Sequence, residues 1–393
     1  MKPINWIILQ SKDRGTDYGI GTFIKQLAPA LAANRQIGVY VVETGIPGKK
    51  EFSVQSGNGV TWLRFPEYSH LKELDTEANH RKNARALARI LKTVIPARET
   101  NVIHINYIFQ FYFGEALKNI FNGQLIYTQH LFIPIGKQPA GQVNLEEKVY
   151  RLSNHIVTVT NHGKAHLMEK GVEAAKVTPV YNGTLPDIFA GRTNKLNTRR
   201  KYGFGANEKL VVYSGRIDPI KGLKYLAIAF TILLKRYPDC RLVIAGDGNF
   251  SELMEHCRAI SGKVSYLGFL PYADLIGLYK CADIGVIPSL EEHCSYVALE
   301  MLFSGLPVVA SDIGGLREIF VHGRNALLTD VVPGSENMYG IAPDVEKFAE
   351  NMYSLLVKPE LRKTMSKHSL LRAKSMFTSE IMVRNYLKLI KST

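Results

Sequence analysis

Short apolar runs recur along the 393-residue chain, separated by longer stretches with helical spacing. In the first half, INWIILQ, GVYVVET, VIHIN, LIYTQH, HIVTVT and KVTPVYN read as buried strands. Helices such as GTFIKQLAPALAAN and ARALARILKTVI lie between several of them. The second half repeats the scheme with KLVVYSG, RLVIAG, VSYLGFL, IGVIPS and PVVAS, and with the helices GLKYLAIAFTILLKRY, YADLIGLYKCA and YVALEMLFSG. Strands rich in Val, Ile and Leu without polar alternation are buried on both faces, as in parallel sheets covered by helices. The pattern predicts an α/β protein with two doubly wound, Rossmann-like domains, a division that suits the length. If the two open sheets face each other, strand-end loops line both walls of a cleft, where such sheets bind ligands. The polar, basic, turn-rich segment 182–209 marks the boundary, and periodicity leaves the final helix, IMVRNYLKLI, unassigned to either domain.

Composition narrows the class. With 46% hydrophobic and 21% charged residues the chain reads as an ordinary globular protein, and its formal charge of +14 asks for an anionic partner. Two basic patches stand out, Arg81, Lys82, Arg85, Arg89 and Lys92 on a helix, and Arg192, Lys195, Arg199, Arg200 and Lys201 in the boundary segment. Each fits either a solvated face or an anionic membrane surface. Neither zinc-finger spacing nor an aromatic–basic RNA signature occurs, so nucleic acid is not an expected partner. The four cysteines form no C-x-x-C pair, which suits a reducing cytoplasm. The opening apolar run reads as a first strand rather than a signal peptide, and no run approaches the ~18 residues of a spanning helix. The expectation is a cytoplasmic protein, with peripheral contact at the inner face of the membrane as a further option.

Candidate chemistry clusters in loops that follow strands. After the first strand, Gly15, Gly19 and Gly21 lead into a helix beginning near Thr22, where backbone N–H groups and the helix N-terminus suit a phosphate or sugar; a tight turn alone would use the same glycines. In VYSGRIDPIKGLKYL, Ser214 and Gly215 end a strand, and Arg216 and Lys221 offer a fork and a point charge to a diphosphate. The stretch EEHCSYVALE follows IGVIPS and holds Glu292 and Glu300. On one helix, eight residues would separate these carboxylates by about 12 Å. Glycoside hydrolysis needs its pair at roughly 5–9.5 Å, so the spacing disfavours cutting. Two carboxylates accepting from hydroxyls of one long ligand fit better, with the N–H groups of His293, Cys294, Ser295 and Tyr296 aimed at an anion between them. His104 and His130 end strands; each fits a buried structural histidine, and His130 also fits a ligand site. No D-x-D triplet, phosphate loop or nucleophile elbow occurs, so no metal or other cofactor is expected.

Taken in order, SGRIDPIKGL, LVIAGDGN, VSYLGFLP, CADIGVIPS, the Glu292/Glu300 pair, GLPVVASDIGGLREI and HGRNALL resemble the GT-B glycosyltransferases of family 4, group 1. The likeness runs from Lys209 to Leu328 and continues more loosely in YGIGTFIKQLAPAL, NVIHIN, YTQH and VYNG. The resemblance implies hexosyl transfer from a nucleotide-diphosphate sugar, with retention at the anomeric carbon and no metal. The acceptor would be a glycan, lipid-linked or peptide group in polysaccharide, lipopolysaccharide or glycoconjugate assembly. It implies an acceptor-side domain over residues 1–190, joined by a C-terminal helix at 376–393, and a donor domain over 205–375. Arg216 and Lys221 would neutralise the diphosphate, with Ser214 and Gly215 beside them. Glu300 would hold ribose hydroxyls, Glu292 the donor sugar, and the backbone of His293 to Tyr296 the same region. His130 would orient the reacting centre, and Gly19 and Gly21 would line the cleft. Retention is usually explained without a protein nucleophile, the leaving phosphate taking the acceptor proton.

This chain departs from the family where Glu292-His293-Cys294-Ser295 replaces Glu-Gly-Phe-Gly, where HLF follows without the acidic or glycine neighbour of His130, and at Asn106, where a second histidine sometimes stands. Two rival readings keep the fold. A nucleotide-sugar epimerase or hydrolase would draw acid/base groups from His293, His130 and Glu292. A basic membrane-binding scaffold would have no use for Arg216, Lys221, Glu292 and Glu300 together.

Overall fold

The computed structural model describes residues 2–11, 19–45, 51–66, 76–132, 139–191, 193–334 and 339–391. The chain forms two compact units, Met1–Leu185 with Ser379–Thr393, and Pro186–Thr378. The boundary therefore falls at Leu185, a few residues before the expected end at 190. The basic segment after it is not a linker: Lys195–Lys201 is a helix of the second unit, capped by Asn194.

The first unit holds an eight-stranded sheet built from β1 (Ile4–Ser11), β2 (Ile37–Thr44), β3 (Ser53–Gly57), β4 (Val60–Arg64), β5 (Thr100–Ile105), β6 (Gln124–Gln129), β7 (His155–Thr158) and β8 (Val177–Pro179). Its order is β3-β4-β2-β1-β5-β6-β7-β8, and every pair but β3–β4 is parallel. The β3–β4 hairpin was not expected. It turns through Asn58 and Gly59, both at positive φ (52° and 76°), which is the Asn-Gly signature of a tight hairpin.

Alternation along the strands sorts side chains between the faces. Ile7, Leu9, Ile103, Ile105 and Leu125 pack with Leu87 and Leu91 of the helix Glu77–Val94 and Leu117 of the helix Phe111–Phe121. On the other face Trp6 and His104 meet Phe23 of the helix Ile20–Ala32 and Tyr386 of the C-terminal helix Ser379–Lys391. A hydrogen-bonded row ties these elements together. The Trp6 indole N–H donates to His104 Nδ1 (3.3 Å), His104 Nε2 meets Thr128 Oγ1 (2.7 Å), and Thr128 meets the Tyr386 hydroxyl (2.8 Å). His104 is fully buried, and that burial pushes its imidazole down to about 3. It is a core residue.

The second unit holds β9 (Lys209–Ser214), β10 (Cys240–Ala245), β11 (Val264–Gly268), β12 (Ile284–Ile287), β13 (Val308–Ser311) and β14 (Ala326–Thr329). All pair in parallel in the order β11-β10-β9-β12-β13-β14, the doubly wound order with its switch point between β9 and β12. A small antiparallel pair, β15 (Val331–Pro333) and β16 (Ile341–Pro343), follows. Val211, Tyr213, Leu242, Ile244, Ile284 and Val309 pack with Leu226, Phe230 and Leu233 of the helix Leu223–Arg236.

The second basic patch is partly internal. Arg199 is buried, and its guanidinium donates to the carbonyls of Gly205, Glu208 and Cys281 and to Asp283, while Lys201 pairs with Asp274. Arg192 lies outside the described residues. In the first patch, Arg81 is taken up by Glu77 and Glu115. No described helix is long and apolar enough to cross a membrane.

Removing the hydroxyl in Tyr386→Phe leaves Thr128 with one partner fewer in the core. The expected loss is about 1–2 kcal/mol of unfolding free energy for the first unit, read from denaturant midpoints at unchanged slope.

Candidate active site

The loops after β9, β10 and β12 press together by backbone. Gly246 (φ 145°) lies so close to the β9 loop that a Cβ there would sit 1.9 Å from the Gly215 carbonyl oxygen. Gly248 would likewise meet Ile217 O at 2.3 Å, and Ile217 N donates to Asp247 O at 2.6 Å. On the other side Gly222 (φ 71°) abuts the β12 loop, where a Cβ would fall 2.0 Å from Pro288 O. Leu290 N donates to Ile220 O at 2.8 Å, closing the same seam.

This seam sets the charged groups. Gly215 passes at φ 132° into Arg216, which is about half exposed and 3.4 Å from Asp218. Asp218 caps the short 3₁₀ turn Pro219–Lys221, and Lys221 reaches Glu292 Oε1 at 2.7 Å. Ser289 donates to the same oxygen at 2.9 Å, and the Glu292 carbonyl accepts from Gly315 N at 2.9 Å. Lys221 and Glu292 therefore meet at the carboxyl ends of β9 and β12, with Arg216 on the same loop as Lys221.

Glu292 and Glu300 do not share a helix. The helix is Tyr296–Phe303, with Ser295 as its N-cap accepting from Ala298 N, so Glu292 stands in the loop three residues before the cap. The 12 Å axial separation that a common helix would impose does not apply. Glu300 is buried in the second turn, and its Oε2 accepts from the Tyr279 hydroxyl at 3.2 Å. That hydroxyl is also 2.5 Å from Ser214 Oγ. Ser214, expected to face the donor, is thus buried against Tyr279 and acts on Glu300 through it. Burial pushes the Glu300 carboxyl up to about 7, against hydrogen bonding from Tyr279 and Tyr272. Glu291 is raised to about 7 as well, by burial and then by neighbouring Glu292, with Lys221 opposing; the His293 ring lies 3.7 Å from it. The side chains of His293, Cys294 and Tyr296 are largely buried.

In the first unit the glycine loop is shorter than expected. The helix begins at Ile20, so Gly21 lies in its first turn, and Gly19 (φ 45°) is the cap; Gly15 lies outside the described residues. His130 follows β6, with its ring edge-on to Phe23 at 4.6 Å and its Nε2 3.0 Å from Asn106 Oδ1. Burial, and then His104, press its imidazole down to about 3. His130 and Asn106 thus end β6 and β5, next to the switch between β1 and β5. Tyr279 had no motif to mark it as part of these groups, while Glu291 and Asn106 stood in marked stretches without an assigned role. Among the described residues no cluster of three or more His, Cys, Asp or Glu could hold a metal ion.

Comparison with known proteins agrees with this architecture. A family model described as "Glycosyltransferase Family 4" matches residues 18–187, and one described as "Glycosyl transferases group 1" matches residues 194–371. Two Rossmann-like units are the architecture of the GT-B class. The chain belongs to the GT-B glycosyltransferases of family 4. An uncharacterized glycosyltransferase of Methanocaldococcus jannaschii is 40% identical over 158 residues, a stretch that covers 39% of this chain and 40% of that protein's length. A D-inositol 3-phosphate glycosyltransferase of Kribbella flavida is 26% identical over 387 residues, covering 91% of this chain and 87% of its own. Among solved structures, the sucrose-phosphate synthase of Thermosynechococcus elongatus superposes with a TM-score of 0.78 at 19% identity, covering 99% of this chain and 98% of that one. HepE of Anabaena in complex with UDP-glucose superposes with a TM-score of 0.75 at 17% identity, covering 99% and 100%.

Two predictions follow from the geometry. Gly222→Ala forces a Cβ onto Pro288 O at a left-handed backbone and should destabilise the second unit by about 2–4 kcal/mol, measured by thermal unfolding. The buried acids and histidines should also give the units opposite responses to acid. Glu291 and Glu300 ionise near 7 in the fold against an ordinary 4.5, so the penalty for burying their charge is absent below 4.5 and complete above 7. His104 and His130 sit near 3 against an ordinary 6.5, so the stability they confer is complete above 6.5 and declines as pH falls towards 3. Between 6.5 and 4.5, hydrogen exchange corrected for intrinsic rates should slow around β9 and β12 and quicken around β5 and β6. Parallel changes in both units would contradict the assignment.

Proposed function

We propose that the protein is a retaining, metal-independent hexosyltransferase that takes a sugar from a nucleoside diphosphate and passes it to a hydroxyl acceptor. The observation carrying this reading is the pairing of Lys221 with Glu292 at the switch point of the second sheet, with Arg216 on the same loop as Lys221 and Glu300 in the second turn of the following helix. A diphosphate has two neighbouring negative charges, and Arg216 and Lys221 supply two cations on one short loop. A diphosphate at this strand end would draw Lys221 from Glu292 and release that carboxylate to accept from hydroxyls of the donor sugar. Glu300, once ionised, would accept from the ribose hydroxyls, its position fixed by Tyr279 and Ser214. His293 and Cys294 add bulk beside Glu292 and would narrow the choice of sugar.

Retention fits a site without a carboxylate committed to nucleophilic attack: Glu292, still bonded to Ser289, would be engaged by the donor's hydroxyls, and Glu300 is bonded to Tyr279. The proton of the acceptor hydroxyl would then leave to the departing phosphate. Because HepE is solved with UDP-glucose, uridine diphosphate sugars are the first donors to examine. The inositol phosphate glycosyltransferases among the relatives add small phosphorylated polyols to glycan, lipid-linked and peptide acceptors as candidates.

A panel of nucleotide sugars, with and without EDTA, tests the reading. Binding and transfer should survive EDTA, and the anomeric proton coupling of the product should match that of the donor. An inverted anomer would end the retaining assignment, loss with EDTA the metal independence, and free sugar released without any acceptor would favour a hydrolase. Glu300→Gln and Lys221→Ala should each weaken nucleoside diphosphate affinity by about tenfold or more, seen by calorimetry. Wild-type affinity in both would mean the donor binds elsewhere.

A further inference from the structure

We propose that Asn106 fixes the tautomer of His130, so that this imidazole meets its ligand as a hydrogen-bond acceptor through Nδ1 and moves no proton. The inference rests on the reading of the strand-end loops as the sugar site, and it adds a positioning residue to that site.

The argument is one of donors and acceptors. Asn106 follows β5 and is buried. Its side-chain amide is not free to turn over. The nitrogen, Nδ2, lies 3.2 Å from the carbonyl oxygen of Leu9 on β1, an atom that can only accept. Its backbone N–H donates to Oε1 of the buried Gln110 at 2.8 Å, which anchors the residue from the other side. With Nδ2 committed to Leu9, the atom facing His130 is Oδ1, another group that can only accept. At 3.0 Å, His130 Nε2 must supply the hydrogen. A neutral imidazole has one N–H, so Nδ1 keeps its lone pair, and Nδ1 has no hydrogen-bond partner among the described residues.

Three further features support a neutral acceptor. The Phe23 ring holds the imidazole edge-on, which restricts its rotation. Burial and the nearby His104 both oppose protonation. His104 supplies an internal contrast: its Nδ1 takes the Trp6 indole N–H and its Nε2 meets Thr128, so both nitrogens are engaged and none is left for a ligand. The position that in the family sometimes holds a second histidine here holds an amide whose orientation is set by β1. A carboxylate at the same place would keep the hydrogen bond but draw a second proton onto the ring.

The test is a long-range ¹H–¹⁵N correlation spectrum of the full-length protein labelled at histidine, with His130 assigned by His130→Gln. In the wild type His130 should show a protonated Nε2 and a bare Nδ1 from about pH 5 to 8, without titrating. In Asn106→Asp the ring should titrate within that range. Sugar transfer by this variant should fall by at least about tenfold where the ring is charged and recover as pH rises. A wild-type ring protonated at Nδ1 would overturn the proposal without any variant, as would an Asn106→Asp ring that stays neutral throughout. The ligand half has its own readout. Titrating in a nucleotide sugar should shift the Nδ1 resonance; binding proven by calorimetry with no such shift would overturn the acceptor role. Absence of binding altogether would instead count against the proposed function, leaving the tautomer measurable on its own.

Discussion

The second unit depends on close passage of backbone over backbone at the carboxyl ends of β9, β10 and β12. Three adjacent parallel strands end side by side, and each must turn into its loop within the width of one strand spacing, about 4.8 Å. A side chain at Gly222, Gly246 or Gly248 would occupy the space of a neighbouring carbonyl. With none there, the loops bond directly to each other, Ile217 to Asp247 and Leu290 to Ile220. The ion pair of Lys221 and Glu292 is a product of that contact, because two residues 71 positions apart meet only when their loops touch. Electrostatics at the switch point is thus set by sterics.

The first unit solves the same topological problem with different chemistry. Among the described residues its strand-end groups are neutral: a row of indole, imidazole, hydroxyl and phenol runs through Trp6, His104, Thr128 and Tyr386, and a second group joins Leu9, Asn106, Gln110 and His130. The first row is buried throughout and serves packing, whereas Arg216 of the other unit stands half exposed at a strand end.

Much of this was legible in the chain. Continuous Val/Ile/Leu strands gave parallel sheets, and the expected helix YVALEMLFSG stands at Tyr296–Phe303, ending before Gly305 and Pro307. The Asn58–Gly59 hairpin was missed although its dipeptide is a strong local signal, because its strands SVQSG and VTWLR are short and mixed in polarity. Arg199 looked like a member of a solvated basic run; only the tertiary fold shows five backbone and side-chain oxygens converging on it. Tyr279 could not be read as a partner of Glu300, since nothing in its own helix announces which strand end it will face. The separation of about 12 Å between Glu292 and Glu300 held only for a common helix, and the helix starts four residues after Glu292. Local periodicity finds elements well, and it is silent on which side chains from distant elements share a hydrogen bond.

The route of the chain has a consequence for how the molecule comes into being. The second unit, Pro186–Thr378, is one uninterrupted stretch and has all its strands once that stretch has been made. The first unit begins at the start of the sequence, yet the hydroxyl that ends its buried row belongs to Tyr386. During synthesis from the N-terminus, the sheet of the first unit must therefore wait, with Trp6, Phe23 and His104 lacking their cover, until the helix Ser379–Lys391 has emerged. The half that is started first is finished last, and the whole of the other half is made in the interval.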